Sequence, residues 1–255
     1  MRRALAGAGI VMSLAVGCAE AAQAPAAGLP TGEAVIARYV DATGGRAAYA
    51  AIRNRVVHGT MEIPSAGVAV AVTVFQAKPS HIYTVVESGQ SGRIESGVAD
   101  GVAWEISPQR GAIVKEGQER ADALRDAAFD RLVDWQTTFT RVECVGVEDV
   151  DGKPAYRVVL TARVGSPVTA DFDCQSGLVV KVQTVVESEG QKAEMAAWPS
   201  DYRQVDGIRF AFVTTVNLLG ERIVRVDRVE QNVQLPDDRF ALPPAIAALV
   251  HPKWH

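Results

Sequence analysis

Histidine and cysteine are scarce in this sequence, four and three residues among 255, and that scarcity removes whole classes of chemistry. His58 and His81 fall in strand-like segments, and His251 and His255 in the terminal HPKWH. A His-x-x-x-His pair suits a metal when a helix carries it. Here Pro252 follows His251 directly and no acidic ligand is near, so the segment reads as a flexible tail. No HExxH helix, cysteine-pair zinc spacing or nucleophile elbow occurs, and SGQSGR (88–93) has the wrong spacing for a nucleophile turn and reads as a hairpin connection. A basic stripe is also missing. With 26 Lys and Arg against 30 Asp and Glu, the chain has no electrostatic footprint for nucleic acid. After the N-terminus no segment is apolar and long enough to cross a membrane as a helix.

What is present is apolar and periodic: 48% hydrophobic residues and a net charge of −4 call for a packed core rather than disorder. Residues 1–21 have the build of a secretory signal: Arg2 and Arg3, the apolar run ALAGAGIVMSLAVG, then Cys18-Ala19-Glu20-Ala21. Two processing readings stand side by side. AVGC resembles a bacterial lipobox, with Cys18 as the lipidated first residue, although Ala15 replaces the usual Leu. AEA instead guides a conventional cut after Ala21. Either one takes the protein out of the cytoplasm, to the periplasm or the outer membrane. Residues 22–30 read as a flexible Ala/Pro leader, 31–250 as one β domain and 251–255 as a tail. Cys144 and Cys174 meet an oxidising compartment, where a disulfide is open to them. The expected strand register sets them two strands apart, roughly 10 Å, which favours two buried free thiols.

Thr31 offers a hydroxyl cap to a helix over GEAVIARYVDA, with Val35, Ile36, Tyr39 and Val40 on one stripe. Gly44-Gly45 ends it, and RAAYAAI forms a second short helix. From Arg53 the period becomes two. In VAVAVTVF both faces are apolar, so this strand is covered on both sides or lines a cavity. Strands follow near His81–Glu87, Gly92–Val98, Val102–Ser107 and Ala112–Lys115. A central helical region, QERADALRDAAFDRLVDWQTTF, carries Ala121, Leu124, Ala128 and Leu132 as its stripe. Turn signals at Asp151-Gly152, Gly165-Ser166, Ser176-Gly177, Glu189-Gly190, Asp206-Gly207 and Gly220 then punctuate a meander. The tail LPDDRFALPPAI reads as a turn or short helix anchored by Phe240. The expected fold is mainly β (α+β): a single, strongly curved antiparallel sheet of roughly ten strands, covered by N-terminal and central helices.

Asp171 and Asp173 share a strand face with Thr169, which suggests acid/base work or a cation site. The ordinary role of acids on a wet face is the stronger reading. Asp149 and Asp151 sit on a hairpin tip without calcium-loop spacing. Trp104, Trp135 and Trp198 suit either a cavity lining or a filled core. Gly44-Gly45 lacks the preceding strand and Lys-Ser/Thr pair of a phosphate loop, so it reads as the joint between two helices.

YVDATGGRAAYAAIRNRVVHGTMEI, GVADGVAWEISPQRG, DGKPAYRVVL, FDCQSGLVVKV, SDYRQVDGIRFAF and DDRFALP, in that order, resemble segments of bacterial outer-membrane lipoprotein-sorting or lipoprotein-carrier-like proteins. The resemblance spans roughly residues 31–244 and implies a LolA/LolB-like fold, a half-open β-barrel with a helical lid over an apolar cavity. It implies non-enzymatic binding or transport of lipid or lipoprotein acyl chains in the cell envelope, with no catalytic residue, cofactor or metal. Each buried methylene would contribute about 0.8 kcal/mol. Val70, Val72, Phe75, Trp104, Phe172, Val180, Phe210 and Phe212 are the lining candidates, although a one-residue slip inverts any strand's faces. Gly44 and Gly45 are the candidate lid hinge, and a lipid on Cys18 would add membrane association. Two alternatives remain: a structural or interaction lipoprotein whose core is filled by its own side chains, and more distantly a secreted hydrolase.

Overall fold

The computed structural model describes residues 28–250 apart from 90, 91 and 189. The secretory signal with Cys18, most of the leader and the HPKWH tail lie outside the described residues. Helix α1 (Gly32–Ala42) starts as its sequence dictates: the Thr31 hydroxyl accepts from the Ala34 N–H at 3.2 Å, and Val35, Ile36 and Val40 are buried. Helix α2 (Gly45–Ala51) follows across Gly44.

Every segment with period-two alternation becomes a strand. The first six are β1 (Asn54–Ile63), β2 (Val68–Ala77), β3 (His81–Ser88), β4 (Gly92–Ala99), β5 (Val102–Ser107) and β6 (Gly111–Val114). After α3 (Gly117–Ala127) and the single turn α4 (Trp135–Thr138) come β7 (Phe139–Val150), β8 (Lys153–Ala162), β9 (Val168–Asp173), β10 (Val179–Ser188), β11 (Gln191–Val205), β12 (Ile208–Asn217) and β13 (Glu221–Gln231), then α5 (Pro244–Val250). Among the described residues the count is thirteen rather than roughly ten. All pairings are antiparallel, in the order β6-β5-β4-β3-β2-β1-β13-β12-β11-β10-β9-β8-β7. Among the described residues β6 and β7 are unpaired edges, so the sheet is open. The first and last strands meet in its middle, where β1 pairs with β13 and a bulge falls between His58 and Gly59.

The register defines two faces. Arg55, Gln76, Ile82, Val98 and Ala103 are successive cross-strand partners and share the helix-covered face. Ala127, Ala123 and Leu124 of α3 pack on Val98, Ala103 and Ile82. On the other half, α1 and α2 cover β7–β10 and β12. Val35, Ile36, Val40, Phe139, Leu160, Phe172 and Ile208 are each at most 4% exposed there. The opposite face carries Phe75, Tyr83, Gly97 and Trp104 as partners in one row. Gly97 is needed there: a Cβ would stand 2.8 Å from the Trp104 ring. The C-terminal segment covers this row, with the Arg239 guanidinium 4.5 Å from the Phe75 centroid and the Phe240 ring 5.4 Å from His81.

The central helical region divides differently from its periodic reading. α3 stops at Ala127, so Ala128 and Leu132 belong to the loop before α4. Cys144 and Cys174 are free thiols, but only Cys144 is buried and Cys174, just after β9, is half-buried, which corrects the expectation of two buried thiols; burial raises the Cys144 titration. Asp171 corrects the wet-face reading of β9: its side chain is 1% exposed, because Arg157 lies over it with bonds of 2.8 and 3.0 Å. Asp173 closes the following turn, accepting from the Ser176 hydroxyl at 2.7 Å and from the Ser176 and Gln175 N–H groups at 2.6 and 3.1 Å. The Ser176 hydroxyl, then the backbone donors, hold its titration below the usual carboxylate range. A depressed carboxyl contributes stability above its unfolded pKa and loses it as pH falls through the folded one. Ser176→Ala should therefore cost about 0.5–1.5 kcal/mol at neutral pH. Urea denaturation at neutral and acid pH should show this gap closing once Asp173 is protonated in both proteins; a gap constant with pH would contradict the assignment.

Candidate functional site: a cavity under the helical lid

A cavity of about 300 Å³ lies between the helices and the sheet. Its roof is Tyr39 of α1, Tyr49 of α2 and the loop from Ala128 to Val133. Its floor is Arg55 and Gln76 on β1 and β2, and Val179, Val182, Pro199 and Tyr202 on β10 and β11. The roof is tied down locally. The Phe129 N–H donates to the Pro79 carbonyl at 3.0 Å, the Val133 N–H to the Asp130 carbonyl at 2.8 Å, and the Lys78 ammonium to the Tyr49 carbonyl at 3.0 Å.

One wall is polar. Arg55 and Asp130, with side chains each 9% exposed, meet at 3.0 Å. The Arg55 guanidinium also lies 4.9 Å from the Phe129 ring centroid and 4.5 Å from that of Phe210, which fixes its plane. The Arg55 Nε and Asp130 Oδ2 atoms are buried without a hydrogen-bond partner. Asp130 adopts φ +49°, uncommon for a residue with a side chain. Burial pushes its carboxyl titration up, and Arg55 opposes that shift. Burial likewise raises the Tyr39, Tyr49 and Tyr202 phenols, so all three stay neutral. The Tyr49 hydroxyl donates to the Thr43 hydroxyl and the Tyr202 hydroxyl to the Val179 carbonyl, each at 2.8 Å. The wall offers fixed charge and hydrogen bonds to a bound molecule. Among the described residues no three His, Cys, Asp or Glu side chains group to hold a metal.

The eight lining candidates are not brought together here, and none lines this cavity. Val70 and Val72 share the face of Gln76 farther along β2. Phe75 and Trp104 lie on the opposite face. Phe172 is 1% exposed in the core, with its ring edge-on to Tyr39 at 5.7 Å. Val180 sits in a bulge between Val179 and Lys181, and the valines at the cavity are its neighbours Val179 and Val182. Phe210 stands behind the cavity against Arg55, and Phe212 lies 4.6 Å from the Arg203 guanidinium. Trp135 packs on the main core, and the Trp198 ring lies 5.6 Å from the Lys181 ammonium. Gly44 and Gly45 have φ of +139° and +81°. Their joint is bound to the β11–β12 turn: the Arg209 N–H donates to the Thr43 carbonyl at 2.8 Å.

Arg55, Gln76 and Asp130 went unnoticed in the sequence. The available signal was Arg55 alternating in phase with Val57 on an otherwise apolar strand face. Nothing local marks Asp130.

No family model matches the chain, and no curated protein matches its sequence. Solved structures do match. A LolA superfamily protein from Nitrosomonas europaea superposes with a TM-score of 0.57 at 13% identity, over 84% of this chain and 99% of that one. The fold is LolA-like. A DUF1329 family protein from Desulfovibrio piger gives 0.55 at 12% identity, over 82% and 96% of the two chains. A Vibrio parahaemolyticus domain described as outer-membrane lipoprotein-sorting gives 0.54 at 10% identity, over 82% and 96%. At such identities the LolA-like relationship is one of fold. It agrees with the architecture that the sequence resemblance implies.

Proposed function

We propose that this protein is a non-enzymatic carrier or binder of acyl chains in the bacterial cell envelope. The observation that carries the reading is the cavity between helical roof and sheet in a LolA-like fold. Val179, Val182, Leu132 and Val133 give that cavity an apolar side against which a chain is desolvated. The ligand is a lipid or the acyl part of a lipoprotein. The working place is the periplasm or the outer membrane, with a membrane anchor if Cys18 is acylated.

A second reading has one observation behind it. Phe139, Phe172 and Leu160 fill the space beneath α1 with the protein's own side chains, as in a structural or interaction protein with a self-filled core. Native mass spectrometry after mild purification, with titration of a fluorescent acyl probe, separates the two. A carrier should retain lipid or take up the probe at one-to-one stoichiometry. No co-purified lipid together with no probe uptake would leave the self-filled reading.

A further inference from the structure

The cavity is surrounded by more positive than negative charge, and this bears on which acyl compounds it holds, an inference that rests on the acyl-binding reading. Asp126 and Asp130 line it beside the guanidinium groups of Arg55 and Arg131. Each carboxylate is also engaged by a further cation. Arg125 takes both oxygens of Asp126 at 2.9 and 3.0 Å. Lys78 acts on Asp130 in addition to Arg55, and its own ammonium is held at 3.0 and 3.4 Å by the uncharged Tyr49 and Ala50 carbonyls. Even with Asp122 matched to Arg125 at 2.8 Å, the cations Arg55, Lys78, Arg125 and Arg131 outnumber the carboxylates Asp122, Asp126 and Asp130 by one.

The excess falls on Arg131. Its guanidinium stands 3.6 Å from Asp126 Oδ1, beyond hydrogen-bond length, and Arg125 already occupies that oxygen. The Arg131 side chain is 35% exposed, so a charged head placed against it keeps part of its hydration and avoids the full cost of burial. Its charge is nevertheless felt inside: burial raises the titration of the Tyr39 phenol in the roof, and Arg131 opposes that shift. Leu132 and Val133, on the apolar side of the cavity, follow Arg131 directly in the chain, so a site for a head adjoins a site for a tail. The volume of about 300 Å³ holds on the order of ten heavy atoms, enough for one chain of about eight carbons ending in a carboxylate.

We infer that the cavity takes single-chain carboxylates of the fatty-acid type, with the head on Arg131 and the chain against Leu132, Val133, Val179 and Val182, in preference to neutral or cationic amphiphiles of equal chain length. The chain contributes affinity common to all three, and the unmatched positive charge discriminates between the heads. An ammonium head would add to a charge already in excess.

The test is calorimetric titration of the full-length protein with octanoate, octanol and octylammonium at neutral pH. Octanoate should bind about tenfold or more tighter than octanol, the gain typical of a hydrogen bond to a charged group, and octylammonium should bind weakest. Arg131→Gln should remove the preference, octanoate falling to the affinity of octanol. Asp126→Asn takes away the carboxylate that competes for Arg131 and should tighten octanoate by about twofold to fivefold; this variant keeps the prediction testable if Arg131→Gln does not fold. Octanol bound as tightly as octanoate by the wild type, or a preference for octanoate that survives Arg131→Gln undiminished, would overturn the head-group inference while leaving acyl binding intact. Binding of none of the three would remove both.

Discussion

Replacing Gly44 with alanine should cost about 3–5 kcal/mol, enough to abolish folding if the protein is marginally stable. Two independent penalties coincide. Gly44 has φ +139°, a region that side chains rarely enter, and an alanine Cβ would stand 2.3 Å from the Gly207 carbonyl oxygen. That oxygen belongs to the backbone of the β11–β12 turn, which is itself tied to Thr43 by the Arg209 N–H, so it has little room to retreat. Gly45 is the matched control. Its φ is +81° and its missing Cβ would meet nothing within 4 Å. Gly45→Ala should then cost only the left-handed penalty, about 1–2 kcal/mol. Urea denaturation of the two single variants measures the difference directly. Equal losses would mean that conformation alone governs the joint and that the contact with the sheet is unimportant. A hinge function is a separate proposal: Gly45→Ala should leave acyl uptake intact if the joint is rigid and slow it if the lid must bend there.

The Gly44 contact also shows where sequence reading stops. Two glycines after an amphipathic helix announce a turn, because positive φ is a local property. That the crowding carbonyl comes from residue 207 is a consequence of tertiary packing, and no local pattern contains it. The same boundary runs through the rest of the molecule. Strand after strand was legible because apolar residues recur every second position between Gly-containing turns, and the Thr31 cap and the α1 stripe were equally local. Faces were harder. Phe75 and Trp104 are large and apolar, and nothing in β2 or β5 says which side the helices will cover; the C-terminal segment with Arg239 covers theirs. Val180 illustrates the slip of one residue. The bulge in β10 makes Val179 and Val182 the cavity valines, although plain alternation cannot place both on one face. Hydrophobicity was the wrong guide to the cavity wall as well, since its distinguishing residues, Arg55, Gln76 and Asp130, are polar and come from distant parts of the chain.

Arg125→Met should be the second large effect, and it tests how the cavity roof is held. The Arg125 side chain is 1% exposed on α3. Its Nη1 donates to the Ser166 carbonyl at 2.5 Å and to Asp122 at 2.8 Å, while Nε and Nη2 grip both oxygens of Asp126 at 2.9 and 3.0 Å. Asp122 in turn accepts the Ser166 N–H at 2.6 Å. This cluster fastens α3, which packs on β4 and β5, to the β8–β9 turn, so the helix spans between two halves of an open sheet. Methionine keeps the volume but strands the Asp122 carboxylate in a buried place, and the expected loss is about 3–5 kcal/mol. Asp126→Asn should cost under about 1 kcal/mol, because that carboxylate is half exposed and its pair is screened by solvent. The double variant Arg125→Met/Asp122→Leu should recover most of the loss, since an apolar pair leaves no charge unpaired. Failure of the double variant to recover would assign the cost to lost bonding at Ser166 rather than to the stranded charge. The loop from Ala128 to Val133 leaves α3 directly, so a loosened α3 should also weaken uptake of the acyl probe. Arg120→Ala gives the comparison for that readout: Arg120 is an exposed residue of α3 outside the cavity lining, bonded to the Gly101 carbonyl at 3.0 Å, and the variant should retain probe uptake at a temperature where Arg125→Met has lost it.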